Sequence, residues 1–229
     1  MTKPFSIMRT IDLNADIAEG FPNDLELMNF VSSINICSGA YAGSPELTAE
    51  VFSIGREKGL RVGAHVGFPD FQSMGRRELS EGYPEEWIAS VETQIRNAGS
   101  YSYIKPHGAL YHWLANAPED SKYLWDAIEE MEKPFMGMPN TGHEEQCRRR
   151  GLRMISEGFC ERGYDSYGFL VPRGEPDAVI HDLNLICDQA VKLAERVDSI
   201  CIHGDREDAA MVAYIVRERL TKEGYRITS

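Results

Sequence analysis

The sequence predicts an α/β fold with parallel strands, either a barrel or a doubly wound sheet, and three observations support this. Strand-like and helix-like segments alternate about seven times along the 229 residues, which is typical of parallel strands joined by crossover helices. Several strands end on a polar side chain followed by glycine, where parallel α/β folds build their sites. The chain shows no internal repeat, low-complexity segment or linker composition. We therefore predict one domain over residues 1–229.

The strands are predicted from alternating or continuous apolar runs that stop at polar residues and glycine. In the fourth run, Pro106 cannot continue the interior of a sheet, so the strand is predicted to end at Lys105 or His107. The fifth run is the weakest. The seven runs, in chain order, are 10–16, 33–37, 60–65, 101–107, 134–138, 153–157 and 198–203.

The helices are predicted from their caps and from helical spacing of apolar residues. Ser44 as N-cap and Pro45 at the first helical position begin a helix that ends near Lys58, with Gly59 as its C-cap. Pro84 begins the next helix, which closes at residues 97–99. Four more helices are predicted over 121–131, 144–150, 182–196 and 208–220, with a long loop over 66–77 and an irregular stretch over 164–180.

The composition excludes several classes of function. The formal net charge is -12, from 36 acidic and 24 basic residues, and this charge opposes binding to nucleic acid or to anionic membranes. The five cysteines have no C-x-x-C spacing, which indicates reduced thiols. Residues 1–9 lack the apolar core of a signal peptide, and no apolar run approaches the roughly 20 residues that span a membrane. A cytoplasmic location is the expectation.

Polar residues at the strand ends are predicted to meet at one rim of the sheet. Three of the six histidines lie at strand ends, although a single histidine there is more often a surface or hydrogen-bonded residue. The other three, His112, His143 and His181, are expected to be solvated. The predicted rim consists of Asp16, Asn35, His65, Lys105, His107, Glu157, His203 and Asp205.

A divalent metal site is one hypothesis for this rim. Asp16 with His65 and either His107 or His203 would supply oxygen and imidazole ligands. No H-E-x-x-H or cysteine-rich spacing supports it, so the presence of a metal is left open. Cys37 is a candidate nucleophile, but a buried thiol in a strand is the commoner situation.

Arginines in the loops are candidate anion clamps. Arg76, Arg77 and Arg173 could hold a carboxylate or a phosphate, with plain solvation as the alternative. The chain has neither G-x-x-x-x-G-K-[ST] nor G-x-G-x-x-G, so the usual phosphate-binding loops are missing.

Seven groups of residues, in order from about residue 11 to residue 220, together resemble the LamB/YcsF family. They are Asp12-Leu-Asn-Ala-Asp16 with Glu19-Gly20, Asn35-Ile36 with Ala42-Gly43-x-Pro45, Gly63-Ala-His65 with Pro69-Asp70, Gly75-Arg-Arg77, Lys105-Pro-His-Gly-Ala-Leu-Tyr111, Leu170-Val-Pro-Arg173 and His203-Gly-Asp205. The resemblance implies a single-domain, distorted seven-stranded β/α barrel, similar to the glycoside hydrolase and polysaccharide deacetylase superfamily.

The resemblance also implies an activity, since this family supplies the A component of the prokaryotic 5-oxoprolinase. The expected reaction is ATP-dependent opening of the 5-oxo-L-proline lactam to L-glutamate, carried out with two companion subunits, B and C. ATP is expected to act through the complex, in agreement with the missing phosphate-binding loops. A homo-oligomer is left open.

Roles in that reaction are assigned as expectations. Asp16 first, and Asp205 second, would act as general base towards water, with a pKa tuned upward at a partly dry strand end. Lys105 and His107 would stabilise the developing oxyanion or the phosphate. Two histidines are candidates for carrying a proton to the departing nitrogen: His65 and His203. Substrate contacts are expected from Asn14, Asn35, Tyr41, Arg76, Arg77, Glu157 and Arg173.

One segment departs from the family pattern. Where the family usually reads Ala-Cys-Gly-Phe-His-Ala-Gly-Asp, this chain has Tyr41 in place of the histidine and Ser44 in place of the aspartate. A phenol is a poor substitute for imidazole as a base or metal ligand. These departures keep open a catalytically reduced binding subunit. The Asp and His residues at the strand ends keep open a second alternative, a metal-dependent deacetylase or amidohydrolase that acts alone.

Overall fold

Seven parallel strands close into a barrel in the computed structural model, which describes residues 9–229. The strands are β1 Arg9–Ile17, β2 Ser33–Cys37, β3 Arg61–Val66, β4 Tyr103–Pro106, β5 Phe135–Gly137, β6 Met154–Phe159 and β7 Ser199–His203. Each strand pairs with the next, and β1 pairs with both β2 and β7, which closes the ring. The predicted α/β fold is confirmed, and it is a barrel rather than a doubly wound sheet.

Helices follow the strands on the outside of the barrel. They are α1 Asp24–Leu27, α2 Pro45–Glu57, α3 Glu85–Arg96, α4 Gly108–Asn116, α5 Lys122–Glu130, α6 Gly142–Arg150, α7 Leu183–Leu193 and α8 Ala209–Lys222. The predicted cap is present, because the Ser44 hydroxyl accepts from the Leu47 N–H at 3.2 Å and Pro45 begins α2. Among the helices of residues 9–229, none is long and apolar enough to cross a membrane. The signal-peptide expectation falls almost wholly on residues 1–8, outside the described part.

Among the strands and α-helices, three were not predicted from the sequence: α1, α4 and a short eighth strand. The strand β8, Tyr225–Ile227, pairs in parallel with the beginning of β1. Helix α4 begins at Gly108, the last residue of the Lys105-Pro-His-Gly segment, which predicted only the end of a strand. Gly108 adopts a φ of +54°, and a Cβ there would lie 2.6 Å from the Gly75 carbonyl oxygen. Only glycine readily adopts this positive φ and leaves room for the close carbonyl. The residue that ends the strand segment is therefore also the first residue of a helix.

The barrel interior is polar, while the outer faces of the strands are apolar. In β1, Leu13, Ala15 and Ile17 pack into the apolar core beneath the helices. The alternate residues Asn14 and Asp16 hydrogen-bond across the interior, as the two-residue period of a strand requires.

A buried ion pair closes the amino-terminal end of the barrel. Asp12 lies 3.0 Å from the Arg61 guanidinium and is 4% exposed. Its carboxylate also accepts from the hydroxyls of Ser32 at 2.6 Å, Ser33 at 2.7 Å and Ser199. Every oxygen of this buried carboxylate is therefore matched by donors, as a stable interior charge requires.

His143 is fully buried, so the expectation that it is solvated is wrong. It lies in the first turn of α6, which turns its ring inward between Trp125 and Phe135. The Met138 N–H donates to its Nδ1 at 3.1 Å, and its Nε2 lies 3.0 Å from the Tyr111 carbonyl oxygen. Burial lowers the pKa of His143 from 6.5 to about 3, and the ring stays neutral.

We expect His143 to make the fold sensitive to acid. Its pKa is depressed in the folded state, so below the ordinary value of 6.5 the unfolded chain takes up the proton first and unfolding is favoured until about pH 3. Between about pH 7 and about pH 5 the wild type should lose about 2 kcal/mol of unfolding free energy through this residue. Urea denaturation of wild type and His143→Gln measures the difference, with exposed His181→Gln as control. Equal acid losses in wild type and His143→Gln would contradict the prediction.

Candidate active site

Lys105 occupies the centre of the barrel near the carboxyl ends of the strands. Its Nζ lies 2.8 Å from Asp16 Oδ1 and 2.7 Å from Glu157 Oε1, and the residue is 2% exposed. Nζ also lies 3.3 Å from Asn14 Oδ1 and 3.3 Å from Cys201 Sγ. Burial lowers the pKa of Lys105, but the nearby Asp16, Cys201 and Glu157 outweigh it and hold the pKa well above its ordinary value. The ammonium therefore remains charged.

Asp16 is a buried carboxylate that stays ionised. Burial raises its pKa, but the nearby His65 and the Lys105 ammonium outweigh burial and leave the pKa well below its ordinary value. The expected upward tuning of the Asp16 pKa is therefore wrong, because His65 and the Lys105 ammonium lie beside the carboxylate. Burial raises the pKa of Glu157 on the other side of the same lysine.

Asn14 and Asn35 hold this charged group in place. The Asn35 amide donates to Asn14 Oδ1 and to Asp16 Oδ1, each at 2.7 Å, while its own carbonyl accepts from the Tyr103 hydroxyl at 2.6 Å. The ring of Tyr103 fits inside the barrel because residue 63 is glycine, where a Cβ would lie 2.2 Å from the ring. Both asparagines are fully buried in the layer next to Asp16, and the substrate contact expected of them stays a prediction.

Two histidine rings and a glutamate meet beside Asp16. His65 Nε2 lies 3.0 Å from His107 Nδ1, and Glu19 Oε1 lies 3.4 Å from the same His107 atom. His65 Nε2 is also 3.4 Å from Asp16 Oδ2. Burial raises the pKa of Glu19 to about 7 and lowers the pKa of His107 well below its ordinary value.

Glu19 was missed as a site residue. It follows β1 in the loop quoted for the family resemblance, and that was the signal that could have found it. Ala18 has a φ of +64°, an uncommon conformation for a residue with a Cβ. This residue turns the chain, and Glu19 is then only 8% exposed at the mouth of the barrel.

Tyr41 forms a wall of this cluster. Its ring stacks on His107 with centroids 4.0 Å apart, and its hydroxyl lies 3.4 Å from Glu19 Oε1. Gly67 provides the space, since a Cβ there would lie 2.6 Å from the Tyr41 ring. Burial raises the pKa of Tyr41 well above its ordinary value, so the phenol stays neutral. Ser44 caps α2, as described above.

Cys37 lies in the core near Tyr41 and is fully buried. Its thiol lies 3.3 Å from the Ala42 carbonyl oxygen. Burial raises its pKa to about 11, which suppresses the thiolate that a nucleophile needs. The interpretation of Cys37 as a buried thiol fits these contacts.

His203 forms a dyad with Glu161, a second residue that the sequence did not single out. His203 Nδ1 lies 2.6 Å from Glu161 Oε1, which also accepts from the His203 backbone N–H at 2.7 Å. The ring stacks on Phe159 at 5.5 Å. Since a carboxylate only accepts, Nδ1 carries the hydrogen and Nε2 keeps its lone pair. Glu161 is 1% exposed.

The predicted arginine clamps divide into two groups. Arg76 lies 2.6 Å from Asp205 and Arg173 lies 3.8 Å from the same carboxylate, at the rim. Burial raises the pKa of Asp205, but His203, Arg76 and Arg173 lower it overall. Arg77 turns away, pairs with Asp70 at 3.0 Å and is exposed.

Comparison with known proteins places the chain in a family. The sequence model of the LamB/YcsF family matches residues 11–229. The A component of 5-oxoprolinase from Azorhizobium caulinodans is 35% identical, with an alignment that covers 96% of this chain and 98% of that protein. The crystal structure of a lactam utilization protein from Thermus thermophilus superposes with a TM-score of 0.80 at 30% identity, over 96% of this chain and 99% of that one.

A more distant solved structure extends the likeness of fold. A T48 deacetylase superposes with a TM-score of 0.52 at 11% identity, over 96% of this chain and 88% of that one. At this identity the likeness concerns the barrel fold alone. The match over residues 11–229 and the identity with full-length relatives decide the narrower assignment: the chain belongs to the LamB/YcsF family.

Proposed function

We propose that this chain is the A component of a 5-oxoprolinase, a hydrolase that opens the lactam of 5-oxo-L-proline to L-glutamate. The observation that carries the proposal is the 35% identity, over 96% of the chain, with a protein named as the A-type subunit of 5-oxoprolinase. A solved relative at 30% identity is named a lactam utilization protein. The proposal includes ATP and two companion subunits, B and C, and the word subunit in the relative's name supports a complex.

The geometry supports water activation by His203. A lactam is a resonance-stabilised amide, so hydrolysis needs an activated water and a stabilised or phosphorylated carbonyl oxygen. Glu161 holds His203 in the tautomer whose Nε2 can accept a proton from water. The same nitrogen can then deliver that proton to the departing ring nitrogen, which balances the proton over the reaction. Asp205 is less suited, because His203 and the two neighbouring arginines lower its pKa below its ordinary value.

Asp16 and Lys105 act together in this proposal. Asp16 stays ionised, with Oδ1 held by Lys105 at 2.8 Å and Oδ2 left to orient the attacking water. Lys105 has three N–H donors and four polar neighbours, so it positions Asp16 rather than contacting the substrate oxygen. Arg76 and Arg173 at the rim offer a bidentate partner for the carboxylate of 5-oxoproline.

Reconstitution tests the proposed function. The purified chain is mixed with its companion subunits, and glutamate release from 5-oxo-L-proline is measured with and without ATP. Glutamate is expected only when all the subunits are combined with ATP. Release by the companions without this chain, or none from the full mixture, would refute the proposal. Hydrolysis of an acetylated substrate by the chain alone would favour the deacetylase alternative.

A further inference from the structure

One ring nitrogen of His65 faces one of His107 at hydrogen-bond distance, but two neutral rings have no hydrogen to place between these two atoms. His65 Nε2 lies 3.0 Å from His107 Nδ1. The other nitrogen of each ring points at a backbone carbonyl oxygen: His65 Nδ1 at Lys105 O, 3.1 Å away, and His107 Nε2 at Met74 O, 2.8 Å away. Carbonyl oxygens only accept, so these outer nitrogens carry the hydrogens. Two lone pairs therefore face each other across 3.0 Å.

Carboxylates surround the same point and add acceptors. Glu19 Oε1 lies 3.4 Å from His107 Nδ1 and 4.0 Å from His65 Nε2. Asp16 Oδ2 lies 3.4 Å from His65 Nε2. A converging set of lone pairs in a buried place is stabilised by a cation.

We propose that Glu19, His65 and His107 bind a divalent transition-metal cation such as Zn²⁺. Their ligand atoms lie within 4.8 Å of one another, with separations of 3.0, 3.4 and 4.0 Å. A tetrahedral ion with bonds of about 2.0–2.1 Å keeps its ligand atoms about 3.3 Å apart. Two imidazoles and one carboxylate are a donor set that zinc uses in hydrolytic sites, where its fourth position stays open.

The surroundings of the ligands fit the same assignment. Metal-binding histidines usually donate their second N–H to a carbonyl or carboxylate, which fixes the ring and its tautomer, and both rings here face a carbonyl in this way. The three ligands come from three places in the barrel: the loop after β1, strand β3 and the residue that caps α4. Glu19 replaces Asp16 in the set considered from the sequence, because Asp16 Oδ1 is engaged by Lys105 and Asn35.

A cation held there would polarise a carbonyl or lower the pKa of a bound water next to Asp16. The site does not depend on the proposed reaction, because metal uptake is measured on the isolated chain while lactam hydrolysis needs the complex. Failure of one proposal is therefore distinguishable from failure of the other.

Calorimetric titration of the chelator-treated protein with Zn²⁺ and with Co²⁺ tests the site. We expect one ion per chain, together with the visible ligand-field absorption of bound Co²⁺. Glu19→Gln and His107→Asn should weaken binding by at least about 10-fold, as loss of even a supporting contact does in metal sites. The control His181→Gln removes an exposed histidine outside the cluster and should bind as the wild type does.

Thermal unfolding with and without Zn²⁺ gives a second measurement, which stays informative for a destabilised variant because each variant is compared with itself. Zn²⁺ should raise the Tm of the wild type and of His181→Gln, because a ligand of the native state stabilises it. At the same Zn²⁺ concentration the rise in Tm should be smaller for Glu19→Gln and His107→Asn. The proposal is overturned if the wild type takes up neither ion, which would mean that a shared proton joins the two rings. It is equally overturned if both cluster variants bind as tightly as the wild type.

Discussion

Replacing Asp16 by asparagine is expected to lower glutamate release by the reconstituted complex by about 10²–10⁴-fold, the range for losing a group that acts on the attacking water. The variant should remain folded. Lys105 lies between two carboxylates, Asp16 and Glu157, and asparagine leaves one positive charge with one negative partner. The amide also keeps an oxygen in the place of Oδ1. Initial rates per mole of folded protein give the measurement.

Asp12 provides a matched control for this experiment. It lies on the same inward face of β1 as Asp16 but at the opposite end of the barrel, where it pairs with Arg61. Asp12→Asn should lower the unfolding free energy by about 1–3 kcal/mol, because a hydrogen-bonded buried charge is lost, and should leave the rate within about two-fold per folded molecule. Near wild-type rates for Asp16→Asn, or equal rate losses in both variants, would refute the role of Asp16.

Lys105→Met is expected to have the largest effect on stability. It leaves Asp16 and Glu157 buried without their shared cation, and removing one partner of a buried pair costs about 3–5 kcal/mol. Urea denaturation should show a loss of this size in the free energy of unfolding.

The double variant Lys105→Met/Glu157→Gln tests whether the stability loss comes from uncompensated buried charge or from lost packing of the lysine side chain. It removes one of the two uncompensated charges, so it should be more stable than Lys105→Met alone. A packing effect predicts losses that add, since each substitution would act on its own contacts. A single-variant loss below about 1 kcal/mol would also contradict the electrostatic account.

Much of the fold could be predicted from local sequence. The seven strand positions follow from apolar runs that stop at polar residues, and Ser44 with Pro45 marked the start of α2 in the way the structure shows. Helix α4 and strand β8 could not be predicted. Gly108 suggests a turn in isolation, and its helix is started by the contact of Ala109 N–H with Gly75 O at 3.0 Å. Strand β8 has only three residues, and it forms through its pairing with β1, which is remote in sequence.

The sequence by itself determined which side chains reach the mouth of the barrel, because the period of a strand and the shared direction of parallel strands place Asp16, Lys105 and His203 there. Only the tertiary structure decided what state these groups are in. Lys105 and Asp16 are 89 positions apart in the chain, yet their contact, together with that of His65, reverses the expected direction of the Asp16 pKa. The carbonyls of Lys105 and Met74 likewise set the tautomers of the two facing histidines. Charge and protonation depend on distances of a few ångströms between remote segments, and no local pattern records those distances.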